Sequence, residues 1–440
     1  MNKLLSKYLF YYPVTLVKGE LIAFYRRGYE ERQWWSSGEL EAFQAEHFEN
    51  IVKYAVENSS YYKKCLSNYI TTDSSIKTSS NFPTLSKAQL INNLEHIRAN
   101  KTGFFSSAKT TGGSTGEPVK IFKNASALAR ERCATWRSYE WAGVSVADRQ
   151  VRFWGVPHSR SGRLTASIID LIANRKRISA FSINDDNLFK YYNDLCKFQP
   201  QYLYGYVSVI EEFAKFIQSK QLPPPNSLVS LITTSEVLSE SSRAFIENVF
   251  QRKVFNEYGC GEVGSIAHEC EYGSMHVMAD NLHVEIDSEP GQPGEIIVTD
   301  YFNRVTPLVR YRLGDFATMG DGACRCGRGL PTISKIHGRA YDIIRSPSGT
   351  RIHPEAVIYI FEGIQEKMPV FKQFQAIQTD IDAISVNIVP NVSWDDSFEL
   401  ALKSQLVEAI GAEFRFEVNL VESLSREKSG KMRVVKSLVN

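Results

Sequence analysis

A chain of 440 residues is too long for one ordinary domain and too short for three. Its 43% hydrophobic and 23% charged residues fit a soluble globular protein with a full-sized core. A formal charge of +2 gives no bulk electrostatic case for a nucleic-acid partner, and no run of about 18 uncharged apolar residues marks a transmembrane helix.

The first stretch, "MNKLLSKYLFYYPVTLVKGELIAFYRRGYEERQWW", has short apolar runs interrupted by Pro13. No small-residue cleavage site follows, which argues against a secretory signal. Aromatic residues alternate with Lys and Arg. The segment therefore reads either as a helix packed on the main domain or as a peripheral contact with a membrane surface. Residues 38–68 predict a helix, with Leu40, Phe43, Phe48, Ile51, Val52 and Ala55 near a 3.6 period. Ser86 is a candidate N-cap after Pro83. "PVKIF" predicts a short strand, and Ser126 a cap for a helix running to about Trp141. From 150 to 255, apolar strands ("VRFWGV", "SLVSLITTS", "KVFNEYG") alternate with helical patterns ("DNLFKYYNDLCKF", "VSVIEEFAKFIQSK", "SESSRAFIENVFQ"). That alternation predicts α/β layering.

After about 275 the texture changes to strands separated by Gly, Pro and Asn turns: "HVEIDS", "GEIIVTD", "LVRYRLGD". Beyond "IHGRAYDII" the tail has its own rhythm, with "DAISVNIVP" a strand, "SFELALKSQLVEAIGA" a helix and "RFEVNLVES" a strand. The expected fold class is α/β, with a large multi-layer domain over 1–337 and a small α+β domain over 338–440, both of ordinary size. Seven cysteines, an odd number, fit a reducing cytoplasm and no disulfide framework. Cys65, Cys133 and Cys196 read as isolated core residues.

The chemistry begins at "AKTTGGSTGEPVKIF". Thr110, Thr111, Ser114 and Thr115 supply hydroxyls, and Gly112, Gly113 and Gly116 let backbone N–H groups approach an anion. Lys120 adds positive charge. No GK[ST] follows at P-loop spacing, and a flexible connector has the same composition. Four later stretches narrow the choice. "NEYGCGEVG" carries Asn256, Glu257, Tyr258, Gly259 and Glu262. "LVRYRLGD" ends in Asp315. "IHGRAYDII" holds Arg339 and Asp342, and "REKSGKMR" holds Lys431 in a glycine turn.

In this order and at these separations the motifs resemble the adenylate-forming ligase superfamily. The likeness is strongest to its phenylacetate–CoA ligase-like branch, which includes the capsular-polysaccharide CapK-like proteins. "QPQYLYGYVS", "ITTSEVLSE" and "CRCGRGLPTISKIHGR" resemble that branch too, so the likeness spans nearly the whole chain. The resemblance implies an AMP-forming reaction with ATP and Mg²⁺. A carboxylate attacks the α-phosphate, and the acyl-adenylate then passes its acyl group to a thiol such as CoA, or to an amine. The 110–120 loop, with Thr111 and Lys120, would grip the β- and γ-phosphates. Ser235 and Glu236 would line the adenine and acyl pockets. Tyr258 would stack on adenine, Glu262 would hold Mg²⁺ and Asp315 the ribose. Lys431 would reach the reacting carboxylate and phosphate from a mobile tail domain. The family's hinge reads Gly-Arg-x-Asp-Asp, whereas this chain has Gly338, Arg339, Ala340, Tyr341, Asp342. Tyr341 in place of the first Asp leaves hinging in question and mildly favours a second class of function, a catalytically dead nucleotide-binding relative. Retention of Tyr258, Glu262, Asp315 and Lys431 argues against that class.

"HECEYGSMH" and "CRCG" supply Cys270, His276, Cys324 and Cys326, a set that suits structural zinc. His268 is the competing imidazole and Cys260 the competing thiol. The resemblance favours Cys270 and His276. Four reduced, unligated cysteines in turns are the plain alternative. His158 is a candidate for the acyl pocket, as is Tyr206 with Tyr202 and Tyr204, although such residues also simply pack. "RKRIS" at 175–179 reads better as a solvated basic face than as a CoA-phosphate contact.

Overall fold

The computed structural model describes residues 2–69, 82–99, 106–110, 120–154, 160–180, 185–339, 344–349, 351–352, 357, 360–361, 364, 370–391, 394–424 and 434–439. The chain forms two compact units. The first comprises Met1–Leu313 with Ala317–Ile336, and the second Gly314–Phe316 with His337–Asn440.

The strands before the tail are β1 (Ser106–Thr110), β2 (Lys120–Asn124), β3 (Gln150–Trp154), β4 (Arg175–Ser179), β5 (Tyr202–Tyr206), β6 (Ser230–Thr234), β7 (Val254–Cys260), β8 (Gly264–Glu269), β9 (Met275–Val277), β10 (Leu282–Asp287), β11 (Gly294–Asp300), β12 (Tyr311–Met319) and β13 (Thr332–Arg339). β1 and β2 form their own antiparallel pair. The others build an 11-stranded sheet in the order β10-β11-β12-β13-β9-β8-β7-β6-β5-β3-β4. From β4 to β7 neighbours run parallel, and helices Arg160–Ile172, Asp185–Phe198, Val207–Ser219 and Glu240–Phe250 make the crossovers. From β7 to β9 the pairing turns antiparallel.

β5 and β6 are buried at every position. Helices cover both faces of a parallel sheet, so such strands show no alternation. This is why "QPQYLYGYVS" carries no strand signal of its own. The basic stretch "RKRIS" is also a strand, β4, at the sheet edge. Its cations are not a solvated face: Arg175 and Arg177 pair with Asp170, and Lys176 with Asp194. Charge on an edge strand discourages pairing with another chain.

Three further expectations need correction. The helix expected over 38–68 is two helices, Ser37–Asn58 and Ser60–Leu66. Ser59 between them is extended at φ −122°, and its hydroxyl caps the second by accepting from the Tyr62 N–H. The helix Ala125–Trp141 begins one residue ahead of Ser126 and has no side-chain cap. The Ser126 hydroxyl instead meets the Tyr25 hydroxyl at 3.0 Å. Finally, Cys196 is exposed, while Cys133 is buried as expected. Ser86 does cap its helix, in a reciprocal capping box with Gln89.

At the start of the chain the helical segment runs from Lys3 to Val17, and Ser6–Tyr11 is π-helical. Pro13 follows this wide turn; it has no N–H for an i−4 carbonyl. Tyr11 anchors the segment by accepting from the Trp136 indole N–H at 2.8 Å. Tyr29, in the next helix, is fully buried and donates to Asn281 Oδ1 at 2.8 Å.

The second unit has β14 (Ile344–Arg345), β15 (Arg351–Ile352), β16 (Phe371–Asp380), β17 (Ala383–Pro390), β18 (Arg415–Leu420) and β19 (Val435–Ser437). Its four-stranded sheet runs β18-β17-β16-β19. Helix Asp396–Ile410 links β17 to its parallel neighbour β18, and Asp395 caps it by accepting from the Ser397 and Phe398 N–H groups. The core is apolar, with the Phe361 and Phe374 rings stacked 3.7 Å apart and nearly parallel.

Candidate active site and metal centre

In parallel α/β sheets the ligand crevice lies beyond the carboxyl ends of the strands. Here those ends carry Trp154, Tyr206, Thr234 followed by Ser235 and Glu236, and Tyr258. Trp154 and Tyr206 stack at 4.6 Å. The Arg152 guanidinium lies over Trp154 at 4.3 Å and over Tyr204 at 4.8 Å. Tyr206 therefore belongs to an aromatic and cationic wall. Arg152 and Trp154 were missed by sequence reading, which weighed "VRFWGV" only as a strand.

Ser235 sits at φ +69°, a left-handed conformation that costs an L-residue energy. That turn brings Glu236 back to the helix that precedes β6, Val207–Ser219. The Ser208 N–H and hydroxyl donate to the Glu236 carboxylate at 2.7 and 3.0 Å. Glu236 thus sits at the N-terminus of helix Val207–Ser219, where a negative charge is favoured.

The "NEYG" segment is built with little slack. A β-bulge interrupts the β7–β8 ladder between Tyr258 and Gly259. A Cβ on Gly259 would meet the Gly264 carbonyl at 2.5 Å, so only glycine fits. The Asn256 N–H donates to Glu269 Oε2 at 2.8 Å. The Glu257 side chain turns into the core, where the Tyr139 hydroxyl donates to it at 2.8 Å. Burial raises this carboxyl above the ordinary carboxylate value, against the opposing Tyr139 bond and Arg152 charge. Tyr258 is partly buried, and Glu262, in the β7–β8 turn, is 8% exposed and accepts from the Tyr311 hydroxyl at 3.4 Å. Asp315 is a buried residue of β12, and Arg339 ends β13.

Thr110 and Lys120 are cross-strand partners in the β1–β2 pair, which brings the two ends of the glycine–threonine sequence together. Thr111, Gly112, Gly113, Ser114, Thr115, Gly116, His158, Tyr341, Asp342 and Lys431 lie outside the described residues.

The four metal-ligand candidates do converge. The donor atoms of Cys270, His276, Cys324 and Cys326 all lie within 4.8 Å of one another, the one such group of these residues that includes cysteine among the described residues. Cys270 Sγ is 3.6 Å from Cys324 Sγ, and Cys326 Sγ is 3.3 Å from His276 Nε2. A zinc tetrahedron with arms of about 2.3 Å has edges of about 3.8 Å, so the spacing and donor chemistry fit that ion. Backbone N–H groups of Tyr272, Cys326 and Arg328 point at the sulfurs of Cys270, Cys324 and Cys326. His276 Nδ1 lies 2.9 Å from the Leu330 carbonyl. A carbonyl only accepts, so Nδ1 carries the proton and Nε2 keeps its lone pair toward the thiols.

His268 and His276 are cross-strand partners on β8 and β9. Only His276 joins the cluster. His268 is fully buried against Tyr139, Trp141 and Phe255, and burial pushes its imidazole down to about 4. Cys260, the competing thiol, is outside the cluster.

A large mixed sheet with a separate small α+β unit defines a class, the adenylate-forming acyl-CoA ligase fold. A 2-hydroxyisobutyryl-CoA ligase in the postadenylation state, in complex with R3-HIB-AMP, has the same fold, with a TM-score of 0.74. It is 17% identical, and the match covers 93% of this chain and 91% of that one. ATP-bound MatB from Rhodopseudomonas palustris is similar at a TM-score of 0.53 and 16% identity, over 73% of this chain and 65% of that one. Within the class, residues 344–438 match the family model of the CapK C-terminal domain. Protein CapK of Staphylococcus aureus is 25% identical over 449 residues, 97% of each chain. These matches support the CapK-like branch that the motifs resemble.

Proposed function

We propose that this chain is an ATP-dependent carboxylate ligase that forms an acyl-adenylate and transfers the acyl group to CoA. The observation that carries the reading is the crevice edge on this fold: an aromatic wall from β3 and β5, the strained Ser235–Glu236 turn after β6, and Tyr258 with Glu262 around the β7–β8 turn. The solved relatives support it, since their names describe ligases holding acyl-AMP or ATP.

In the first step a carboxylate oxygen of the acid attacks the α-phosphorus of ATP and pyrophosphate leaves. In the second a thiolate attacks the acyl carbonyl and AMP leaves. Catalysis is positioning and charge stabilisation. The Trp154–Tyr206 wall seats the acid and excludes water from the adenylate. Tyr258 stacks on adenine, Ser235 and Glu236 border it, and Asp315 accepts the ribose hydroxyls. The 110–120 loop holds the departing pyrophosphate. Lys431, from the tail domain 338–440, holds the acid and α-phosphate together. Mg²⁺, with Glu262 as its protein ligand, offsets phosphate charge when bound.

The test is acid-dependent exchange of labelled pyrophosphate into ATP over a panel of carboxylic acids, followed by mass spectrometry with CoA and amines competing as acceptors. The expected result is exchange with one class of acid and an acyl-CoA product. An amide product would reassign the acceptor, and failure to exchange with any acid would end the ligase reading.

The thiol–imidazole cluster is read as a structural zinc site, because four protein donors leave no position for water. Protein purified without chelator is expected to contain about one zinc per chain by elemental analysis. Cys324→Ser should lower both the zinc content and the melting temperature. Metal-free protein with an unchanged melting temperature would sink the assignment.

A further inference from the structure

Two helices of the first unit are inside out. In the segment Lys3–Val17 the buried positions are Ser6, Thr15 and the anchoring Tyr11, 0%, 6% and 6% exposed, while Leu9, Leu16 and Val17 stand 62%, 62% and 78% exposed. A water-facing helix has the opposite polarity. Helix Arg160–Ile172 repeats the inversion. Asp170 is buried and paired with Arg175 and Arg177, whereas Leu164, Ile168 and Leu171 are 65%, 52% and 67% exposed. The two elements are distant in sequence, yet the Ser6 hydroxyl donates to the carbonyl of Ile172, 166 residues further on, at 3.0 Å. The two elements therefore touch at this point, and exposed apolar side chains gathered on touching elements mark an interaction surface.

We propose that this face docks on an anionic phospholipid surface. Residues up to Gly19 include Lys3, Lys7 and Lys18 and no acidic residue. Lys3 is tied to Asp148 at 2.7 Å, and Lys7 and Lys18 make no ion pair among the described residues. The Lys7 ammonium lies 5.4 Å from the ring centre of Tyr8, itself 58% exposed. Lysine and tyrosine beside an outward aliphatic stripe are the composition of a helix lying in the headgroup region. No helix among the described residues is long and apolar enough to cross a membrane, so the contact is peripheral. Two-fold pairing of the patch with a second copy would bring one set of lysines against another, which an anionic surface avoids.

Flotation of the full chain with vesicles tests the proposal. Binding is expected to phosphatidylcholine vesicles containing phosphatidylglycerol, to weaken severalfold as salt rises, and to be poor with phosphatidylcholine alone. Leu16→Glu with Val17→Glu, and separately Ile168→Glu with Leu171→Glu, should each lower the bound fraction about tenfold or more. All four side chains are exposed, so the melting temperature should not move; two independent pairs keep the test decisive if one destabilises the fold. Three results would overturn the proposal: no flotation with anionic vesicles, equal binding to neutral ones, or variants that float like the parent. A dimer in solution that the same variants dissociate, without lipid binding, would assign the face to a second copy instead.

Discussion

Replacing Lys431 by Ala is expected to lower acid-dependent pyrophosphate exchange by about a thousandfold while ATP binding persists. The acid and the α-phosphate are both anionic, and the step forces them to bonding distance. A lysine near both at about 4 Å contributes roughly 4 kcal/mol at an effective dielectric near 20. Each 1.36 kcal/mol is tenfold in rate, so the loss comes to about three powers of ten. Nucleotide affinity should change little, because adenine, ribose and pyrophosphate are assigned to other residues. Exchange measured beside calorimetric ATP binding separates the two effects. Parental exchange rates in this variant would remove Lys431 from the chemistry.

Lys123→Met should destabilise the first unit by about 3–5 kcal/mol, the usual cost of removing one partner from a buried ion group. The Lys123 side chain is 1% exposed and its ammonium lies 3.0 Å from Glu131 and 3.1 Å from Asp300. The two carboxylates outweigh the burial penalty and hold the lysine protonated. Asp300 also accepts from the Phe302 and Asn303 N–H groups, so the ion group pins the turn after β11. Methionine keeps the volume and leaves two carboxylates without their cation. The urea midpoint should fall clearly, and a variant as stable as the parent would show that the three charges do not act as a unit.

Much of the architecture was legible because local signals agreed with the tertiary structure. The capping serine at 86, the alternation of "GEIIVTD" and the period of "VSVIEEFAKFIQSK" each state their element directly. β4 and β5 were not legible. β4 looks like a charged surface because its cations are neutralised by Asp170 and Asp194 from elsewhere in the chain, and β5 is buried on both faces. The site shows the same division. Tyr258 and Glu262, picked out by the resemblance, sit around one β-turn-β element. Arg152, Trp154 and Tyr204 become neighbours only through the parallel β3–β5 register. The resemblance favours His276 over His268, and the register gives the physical reason. The two are cross-strand partners, and their tertiary surroundings, thiols at one and aromatic rings at the other, set them apart.

The seating of Glu236 on helix Val207–Ser219 has a bearing on how nucleotide can be gripped. The positive end of a helix beside a parallel sheet is the common phosphate seat. Here Glu236 already fills that seat, with Ser208 donating twice to it. An anion arriving there would meet a carboxylate, so the molecule has ruled out this dipole as a phosphate trap. On the proposed function the triphosphate is left to the glycine–threonine sequence that joins β1 and β2, and the positive end of this helix stays committed to Glu236.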